Sequence, residues 1–149
     1  MQYERKSQLA RLHKITDKSA PETTEAIRDS IGSLPQYLWQ SITFDNGLEG
    51  ASHCQLKNDY QLKTYFGDAY AAWQKGGVEN LNGLIRQSIP KGSDISKLTD
   101  DQIYAIQEKL NNRPRKSLNY LTPNQVIDQE TGQGGFILIK NYLSLIDCF

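Results

Sequence analysis

The chain lacks several features that mark particular classes of protein. Among its 149 residues are two cysteines, Cys54 and Cys148, too few for the disulfide framework of a small secreted domain. No apolar run is long enough to span a bilayer, and residues 1–6 lack the apolar core of a signal peptide. We therefore expect a cytoplasmic protein that does not bind a membrane.

Net charge is also absent, because 17 basic residues balance 17 acidic residues. The charges are unevenly distributed: residues 1–18 and 71–120 each carry a net charge of +3, whereas residues 19–70 carry −4. A basic stripe beside carboxylates would suit an enzyme that acts on a polyanion, but an ordinary solvated surface explains the distribution more simply. The apolar fraction of 38% excludes a disordered chain and predicts one domain with its own core.

The hydrophobic periodicity predicts alternating strands and helices. The clearest helix begins at Thr99, where Thr99 and Gln102 form a capping box ahead of an apolar stripe. The predicted strands are residues 8–15, 37–44 and 61–66; the predicted helices are residues 19–31, 49–57, 78–88 and 99–110, and residues 67–77 form a loop. Such alternation predicts an α/β layered domain.

Two carboxylates are the candidates for catalysis. Asp45 follows a predicted strand and Glu79 lies in the first turn of a predicted helix, with 33 residues between them. Strand ends and helix starts display functional groups in α/β folds, and two carboxylates together suit Mg²⁺ and phosphodiester chemistry. Each residue also has a structural explanation, because Asp45 precedes an Asn-Gly pair typical of a hairpin turn and Glu79 suits the helix dipole.

Four segments, in order, resemble segments of bacterial insertion-sequence transposases. Residues 41–49 (SITFDNGLE) resemble the second-aspartate segment, and residues 73–87 (WQKGGVENLNGLIRQ) resemble the glutamate helix. Residues 90–94 (PKGSD) resemble the break after that helix, and residues 110–123, with NNRPRKSL and LTP, resemble the closing signature. Over about residues 3–127, the chain therefore resembles the insertion sequence thirty family of the integrase-like Asp-Asp-Glu superfamily.

The resemblance implies a ribonuclease H-like integrase catalytic core, a mixed sheet flanked by helices. The implied activity is metal-dependent DNA strand cleavage and strand transfer, with Asp45 and Glu79 as catalytic residues and as ligands of Mg²⁺ or Mn²⁺. The family's first aspartate belongs on an opening strand upstream of the segment that begins at Tyr3. We therefore expect this chain to lack that strand and, alone, to be inactive.

The resemblance also implies partners. These are DNA at the transposon ends and at the target, and either further copies of this chain or a full-length transposase. The expected location is the bacterial cytoplasm, at the nucleoid when DNA is bound. Six cations are the candidates for phosphate contact: Lys75, Arg86, Lys91, Arg113, Arg115 and Lys116. The last three follow a predicted helix, where interaction with the helix dipole is the structural alternative.

The expected organisation is a partial catalytic core over residues 1–128 and a divergent tail over residues 129–149, where the resemblance fades. An ordinary C-terminal strand and helix is the alternative for the tail. Two other functions remain open at this stage. One is a non-catalytic remnant that binds DNA or pairs with a full-length transposase, and the other is an unrelated hydrolase that uses the two carboxylates as acid and base.

Overall fold

A computed structural model describes residues 1–15, 19–33, 35–44, 52–68 and 76–132, together with the backbone of residues 143–146. Helices and strands alternate along most of this length, as expected for an α/β domain. The strands are β1 (Gln2–Tyr3), β2 (Ala10–Arg11), β3 (Ser41–Phe44), β4 (Lys63–Phe66) and β5 (Leu143–Ile146). The helices are α1 (Ala20–Gly32), α2 (His53–Tyr60), α3 (Gly76–Ile85), α4 (Asp100–Asn111) and α5 (Pro123–Thr131).

The strand β3 is the centre of a three-stranded parallel sheet. It pairs on one side with β4 and on the other with β5, so that Phe44 lies opposite both Phe66 and Ile146. Strand β5 also contacts β1, which forms an antiparallel ribbon with β2. The described strands thus form two small sheets, a parallel one of three strands and an antiparallel ribbon that lies beside β5.

Two clusters of buried apolar side chains hold the layers together. The first joins α1, β3 and α2 and includes Ile27, Ile42 and Leu56, each with no exposed surface. The second joins the β1–β2 ribbon to α3 and α4; its members are Tyr3, Ala10, Val78, Leu81, Ile85 and Leu110. Residues 78, 81 and 85 are buried, and their spacing is that of one apolar face on the helix predicted at residues 78–88.

All three predicted strands are longer than the observed ones, and residues 37–44 and 8–15 differ most. The prediction for residues 37–44 is wrong in its first half, because residues 36–38 form a 3₁₀ turn: the Leu38 N–H donates to the Pro35 carbonyl at 3.0 Å. Only Ser41–Phe44 remains for pairing. The prediction for residues 8–15 holds only at Ala10–Arg11, because the Leu12 N–H instead donates to the Gln107 side chain of α4 at 2.8 Å.

The helix boundaries also differ from their predictions. Helix α3 begins at Gly76, within the predicted loop, and ends at Ile85, whereas α2 extends to Tyr60. The capping box at Thr99 is confirmed, since its hydroxyl accepts from the Gln102 N–H at 3.3 Å. The same chemistry at Thr122, with Gln125 and a proline at the first helical position, begins α5, which the hydrophobic pattern alone missed.

Helix α5 spans residue 128, and β5 pairs with the central strand β3. The division of the chain into a core over residues 1–128 and a tail over residues 129–149 stays a prediction. Within the described ranges, none of the helices combines the length and the apolar character needed to cross a membrane.

Candidate catalytic carboxylate and basic groove

The start of α3 is fixed by close packing on the ribbon. A Cβ added at Gly77 would lie 2.6 Å from Cε1 of the Tyr3 ring, so only glycine allows the ring to lie against this backbone. Tyr3 is itself 6% exposed, and burial raises the pKa of its phenol. The first turn of α3 is therefore held in a fixed position over β1.

Glu79 projects from that first turn into solvent. Its neighbours Val78 and Leu81 are buried, so the apolar stripe of α3 orients Glu79 away from the core. Among the residues that the structure describes, no hydrogen-bond or ion-pair partner of its carboxylate is found. Gly83 lies one turn further along α3 with open space around it. The carboxylate is thus accessible to a ligand, as a catalytic or metal-binding glutamate must be.

Two sequence-predicted site residues, Asp45 and Lys75, lie outside the described residues. Asp45 directly follows Phe44, the buried last residue of β3. The approach of Asp45 to Glu79 stays a prediction. In the described part of the chain, no group of three or more His, Cys, Asp or Glu side chains could hold a metal ion.

A groove of about 570 Å³ brings three of the predicted cations together. Arg113, Arg115 and Lys116 line it, and Asn80 of α3 lines the same groove. Its remaining lining residues are Gln8, Leu84 and Ser117. Asn80 directly follows Glu79 in sequence, so the exposed carboxylate belongs to the helix turn that borders the groove. The groove therefore places positive charge near the candidate catalytic glutamate.

The three cations of the groove have different surroundings. Arg113 and Lys116 are exposed, and neither has a partner among the described residues. Arg115 is only partly exposed: it donates through Nη1 to the Gln8 side chain at 3.2 Å and through Nη2 to the Leu110 carbonyl at 3.5 Å. Burial lowers the pKa of Arg115, although an arginine remains charged at neutral pH. Arg115 therefore shapes the groove, while Arg113 and Lys116 have free charges.

The other two described candidates for DNA contact lie apart from the groove lining. Arg86 follows the end of α3, where its N–H continues the helical pattern by donating to Asn82 at 3.0 Å. Lys91 lies in the tight turn closed by the Ser93 N–H and the Pro90 carbonyl. Both residues are exposed. A role for them in DNA contact stays a prediction.

Asn111 has a structural role that its place in the closing signature did not indicate. It is 2% exposed, and its side-chain amide pairs with Ala10 of β2 in both directions. The Ala10 N–H donates to Asn111 Oδ1 at 2.9 Å, and Asn111 Nδ2 donates to the Ala10 carbonyl at 2.8 Å. Asn111 thus acts as a strand partner for β2 and anchors the segment that leads into the groove.

Comparison with known proteins finds transposases that are similar to this chain. The chain is 51% identical, over 96 residues, to the transposase for insertion sequence element IS4351 of Bacteroides fragilis, covering 64% of this chain and 29% of that transposase. It is 36% identical, over 126 residues, to the transposase InsI for insertion sequence element IS30A of Escherichia coli K12, covering 85% of this chain and 33% of InsI. Over most of its length the chain is thus similar to transposases of insertion sequences, including that of IS30A.

The fold of this chain agrees with that of a retroviral integrase core. The catalytic core domain of the HTLV-2 integrase, solved in complex with magnesium in a trimeric form, matches with a TM-score of 0.61 and 22% identity. The match covers 85% of this chain and 90% of the integrase domain. No protein-family model matches the chain. The chain spans about a third of the length of the transposases it resembles.

Proposed function

We propose that this chain is a part of a transposase catalytic core that binds DNA in the basic groove beside Glu79. The observation that carries the proposal is a groove lined by three cations and by Asn80, the residue that follows the exposed Glu79 on α3. Phosphate oxygens would accept hydrogen bonds from Arg113 and Lys116, and Asn80 would orient the backbone. The proposed activity of the complete protein is cleavage of DNA strands and their transfer to a target.

We propose further that Asp45 and Glu79 hold Mg²⁺ or Mn²⁺. The donor chemistry fits, because Mg²⁺ is commonly bound by one or two carboxylates together with phosphates and water. A bound divalent metal supplies Lewis-acid stabilisation to the oxygens of a phosphodiester. The residues of this chain would position the metal and the phosphate, and the groove cations would neutralise the neighbouring backbone charges.

Binding of DNA does not require the metal in this proposal. The groove is formed by residues 8, 80, 84, 113 and 115–117, and its cations are independent of Asp45. The independence of the groove from Asp45 supports the second candidate function. In it, the chain binds DNA or pairs with a longer transposase but does not cleave DNA. In either case the proposed partners are DNA and a further copy or a full-length transposase, with the protein in the cytoplasm and at the nucleoid when DNA is bound.

The groove is tested by the salt dependence of DNA affinity. Binding of a labelled duplex is measured by fluorescence anisotropy between about 50 and about 200 mM salt, a range over which phosphate contacts weaken strongly. The double variant Arg113→Ala and Lys116→Ala should bind more weakly, with a log–log salt slope about 1.8 smaller, because each phosphate contact contributes about 0.9. Lys109→Ala, an exposed lysine of α4 outside the groove, is the matched control. Equal slopes for the double variant and the control would refute the binding of DNA in the groove.

The metal site is tested separately by thermal shift and by cleavage. Mn²⁺ should raise the melting temperature of the wild type but not that of Asp45→Asn or Glu79→Gln, whereas Glu25→Gln on α1 should behave as wild type. Strand cleavage of matched transposon ends in Mg²⁺ or Mn²⁺ should be absent for this chain alone. Cleavage that Asp45→Ala abolishes would show that the two carboxylates suffice.

A further inference from the structure

The basic groove is bordered by a loop that closes on itself. The Arg115 N–H donates to the Leu121 carbonyl at 3.0 Å, and the Arg115 carbonyl accepts from the N–H groups of Leu118 and Tyr120, each at 2.9 Å. Residues 116–118 form a single 3₁₀ turn within it. The same loop contributes Arg115, Lys116 and Ser117 to the groove lining. Its backbone hydrogen bonds thus fix the position of Tyr120 relative to the groove cations.

The backbone of Tyr120 is held in an unfavourable conformation. Asn119 has a φ of 54° and Tyr120 a φ of 64°, both in the left-handed region that favours glycine. Asparagine adopts this region readily, but a bulky aromatic residue rarely does. Glycine would allow the same loop without strain. A tyrosine at this position therefore lowers the stability of the folded protein relative to glycine, although the loop conformation does not need a tyrosine.

Packing does not compensate for that cost. Tyr120 is 70% exposed, more than any other large apolar side chain in the described ranges. Its hydroxyl and ring have no hydrogen-bond or ring partner among the described residues. Strained residues of this kind cluster at active sites and ligand clamps. The ring lies in the same loop as the three cations of the groove, so the expected ligand is a polyanion that also has flat apolar surfaces.

We propose that the Tyr120 ring stacks on an unpaired nucleobase of DNA bound in the groove. The inference rests on the proposed DNA-binding function and specifies its substrate as duplex DNA with an adjoining single-stranded or frayed segment. Within a duplex, pairing holds each base in the stack, whereas an unpaired base in an overhang is free to leave the stack and present a face to the ring. Aromatic side chains beside a cationic groove bind such bases with little sequence preference. Lys116 and Arg113 contact the phosphates, and Tyr120 adds an uncharged contact to the base.

The experiment compares two DNA molecules by fluorescence anisotropy: a blunt duplex and the same duplex with a short 3′ overhang whose first base is 2-aminopurine. Tyr120→Ala should lower affinity for the overhang DNA on the order of 5- to 100-fold and leave the blunt duplex nearly unchanged. Its salt slope should equal that of the wild type, whereas Lys116→Ala should reduce the slope by about 0.9. Tyr120→Phe should bind normally, because stacking needs the ring and not the hydroxyl.

Two further variants separate stacking from folding. Tyr104→Ala removes a tyrosine that is 62% exposed on α4, outside the groove, and should bind as wild type. Tyr120→Gly relieves the backbone strain, so it should melt no lower than wild type while binding overhang DNA as weakly as Tyr120→Ala. Quenching of 2-aminopurine fluorescence on binding should occur with the wild type and Tyr120→Phe and be lost in both other Tyr120 variants.

The outcomes distinguish this inference from the proposed function. If substitution of Arg113 and Lys116 weakens DNA binding but Tyr120→Ala behaves like Tyr104→Ala, the stacking proposal is wrong and DNA binding in the groove is supported. Equal losses for blunt and overhang DNA would also overturn stacking on an unpaired base. If substitution of Arg113 and Lys116 leaves DNA affinity unchanged, both proposals are wrong: DNA binding in the groove and stacking by Tyr120. A change of oligomeric state in Tyr120→Ala, with DNA affinity intact, would assign the ring to a protein contact instead.

Discussion

The start of α3 and the loop of residues 112–121 border the same groove but are stabilised in different ways. The α3 start is held by apolar packing, with the buried Tyr3 ring against Gly77 and the side chains of Val78 and Leu81 in the core. The loop contains no buried residue. It is held by hydrogen bonds that involve Asn111, Gln8 and Arg115.

This difference suits the roles proposed for the two regions. A metal-binding carboxylate needs a rigid carrier, since a displacement of about 1 Å can cost on the order of 10²-fold in rate. A surface that binds the DNA backbone needs exposed charge, and therefore few apolar neighbours. Packing thus orients Glu79, and polar contacts present Arg113 and Lys116 to solvent.

The largest effect is expected where the loop is anchored. Asn111→Leu keeps the approximate volume of the side chain but leaves the buried N–H and carbonyl of Ala10 without partners. Each unsatisfied group costs about 1–3 kcal/mol, so the free energy of unfolding in urea should fall by about 2–4 kcal/mol. The neighbouring Asn112→Ala removes exposed hydrogen bonds only and should change it by less than about 0.5 kcal/mol. Equal losses for the two variants would contradict a specific anchor at Asn111.

A smaller loss is expected at the start of α3. Gly77→Ala brings a Cβ within 2.6 Å of the buried Tyr3 ring, and overpacking of this kind costs about 1–3 kcal/mol. Gly83→Ala on the same helix meets no atom within 4 Å and should instead stabilise the protein by about 0.5–1 kcal/mol, because alanine is the better helix former. Thermal unfolding of the two variants measures this contrast. A Gly77→Ala variant as stable as wild type would mean that the Tyr3 ring can move, and that packing does not fix Glu79.

The comparison also explains how much the sequence could predict. Apolar spacing at residues 78, 81 and 85 correctly predicts one buried face of α3. Periodicity records which side chains avoid water, so it is informative wherever packing decides the structure. The family resemblance added the fold, which the structural comparison supports, whereas the role of the groove cations in DNA contact stays a prediction.

What the sequence did not predict depends on polar contacts between distant residues. The pairing of Asn111 with Ala10 joins positions 101 residues apart, and the Gln8–Arg115 contact joins positions 107 residues apart. No local pattern distinguishes a buried amide that completes a strand edge from an exposed one. The same limit applies to the strand predicted at residues 8–15, which ends early because the Gln107 side chain takes the next backbone N–H.

A third prediction concerns the rigidity of the loop. Gln8 accepts from Arg115 and donates to Ser117 Oγ at 2.7 Å, so Gln8→Ala removes two contacts between the ribbon and the loop. The global free energy of unfolding should fall by only about 1 kcal/mol, but hydrogen exchange at the Leu118 and Tyr120 amides should become faster. Gln55→Ala on the exposed face of α2 is the control. Unchanged exchange in Gln8→Ala would show that the loop's backbone hydrogen bonds alone hold it.

The smallest effect is expected from alkaline pH, which acts on the α3 start through Tyr3. Burial raises the pKa of this phenol, and the nearby Arg115 opposes the shift. The folded protein therefore keeps the proton to a higher pH than the unfolded chain, whose tyrosines ionise near pH 10. The contribution of Tyr3 to stability is complete below about pH 10 and is lost as pH rises from there through the folded-state pKa.

Tyr3→Phe tests this without disturbing the packing, because it keeps the ring against Gly77 and removes only the ionisable hydroxyl. The free energy of unfolding, measured from about pH 8 to about pH 11, should decline less steeply for Tyr3→Phe than for wild type. Tyr104→Phe, at an exposed position of α4, should decline as wild type does. If Tyr3→Phe and wild type decline in parallel, the phenol ionises as readily in the folded protein as in the unfolded chain. The contact that orients Glu79 would then be open to water.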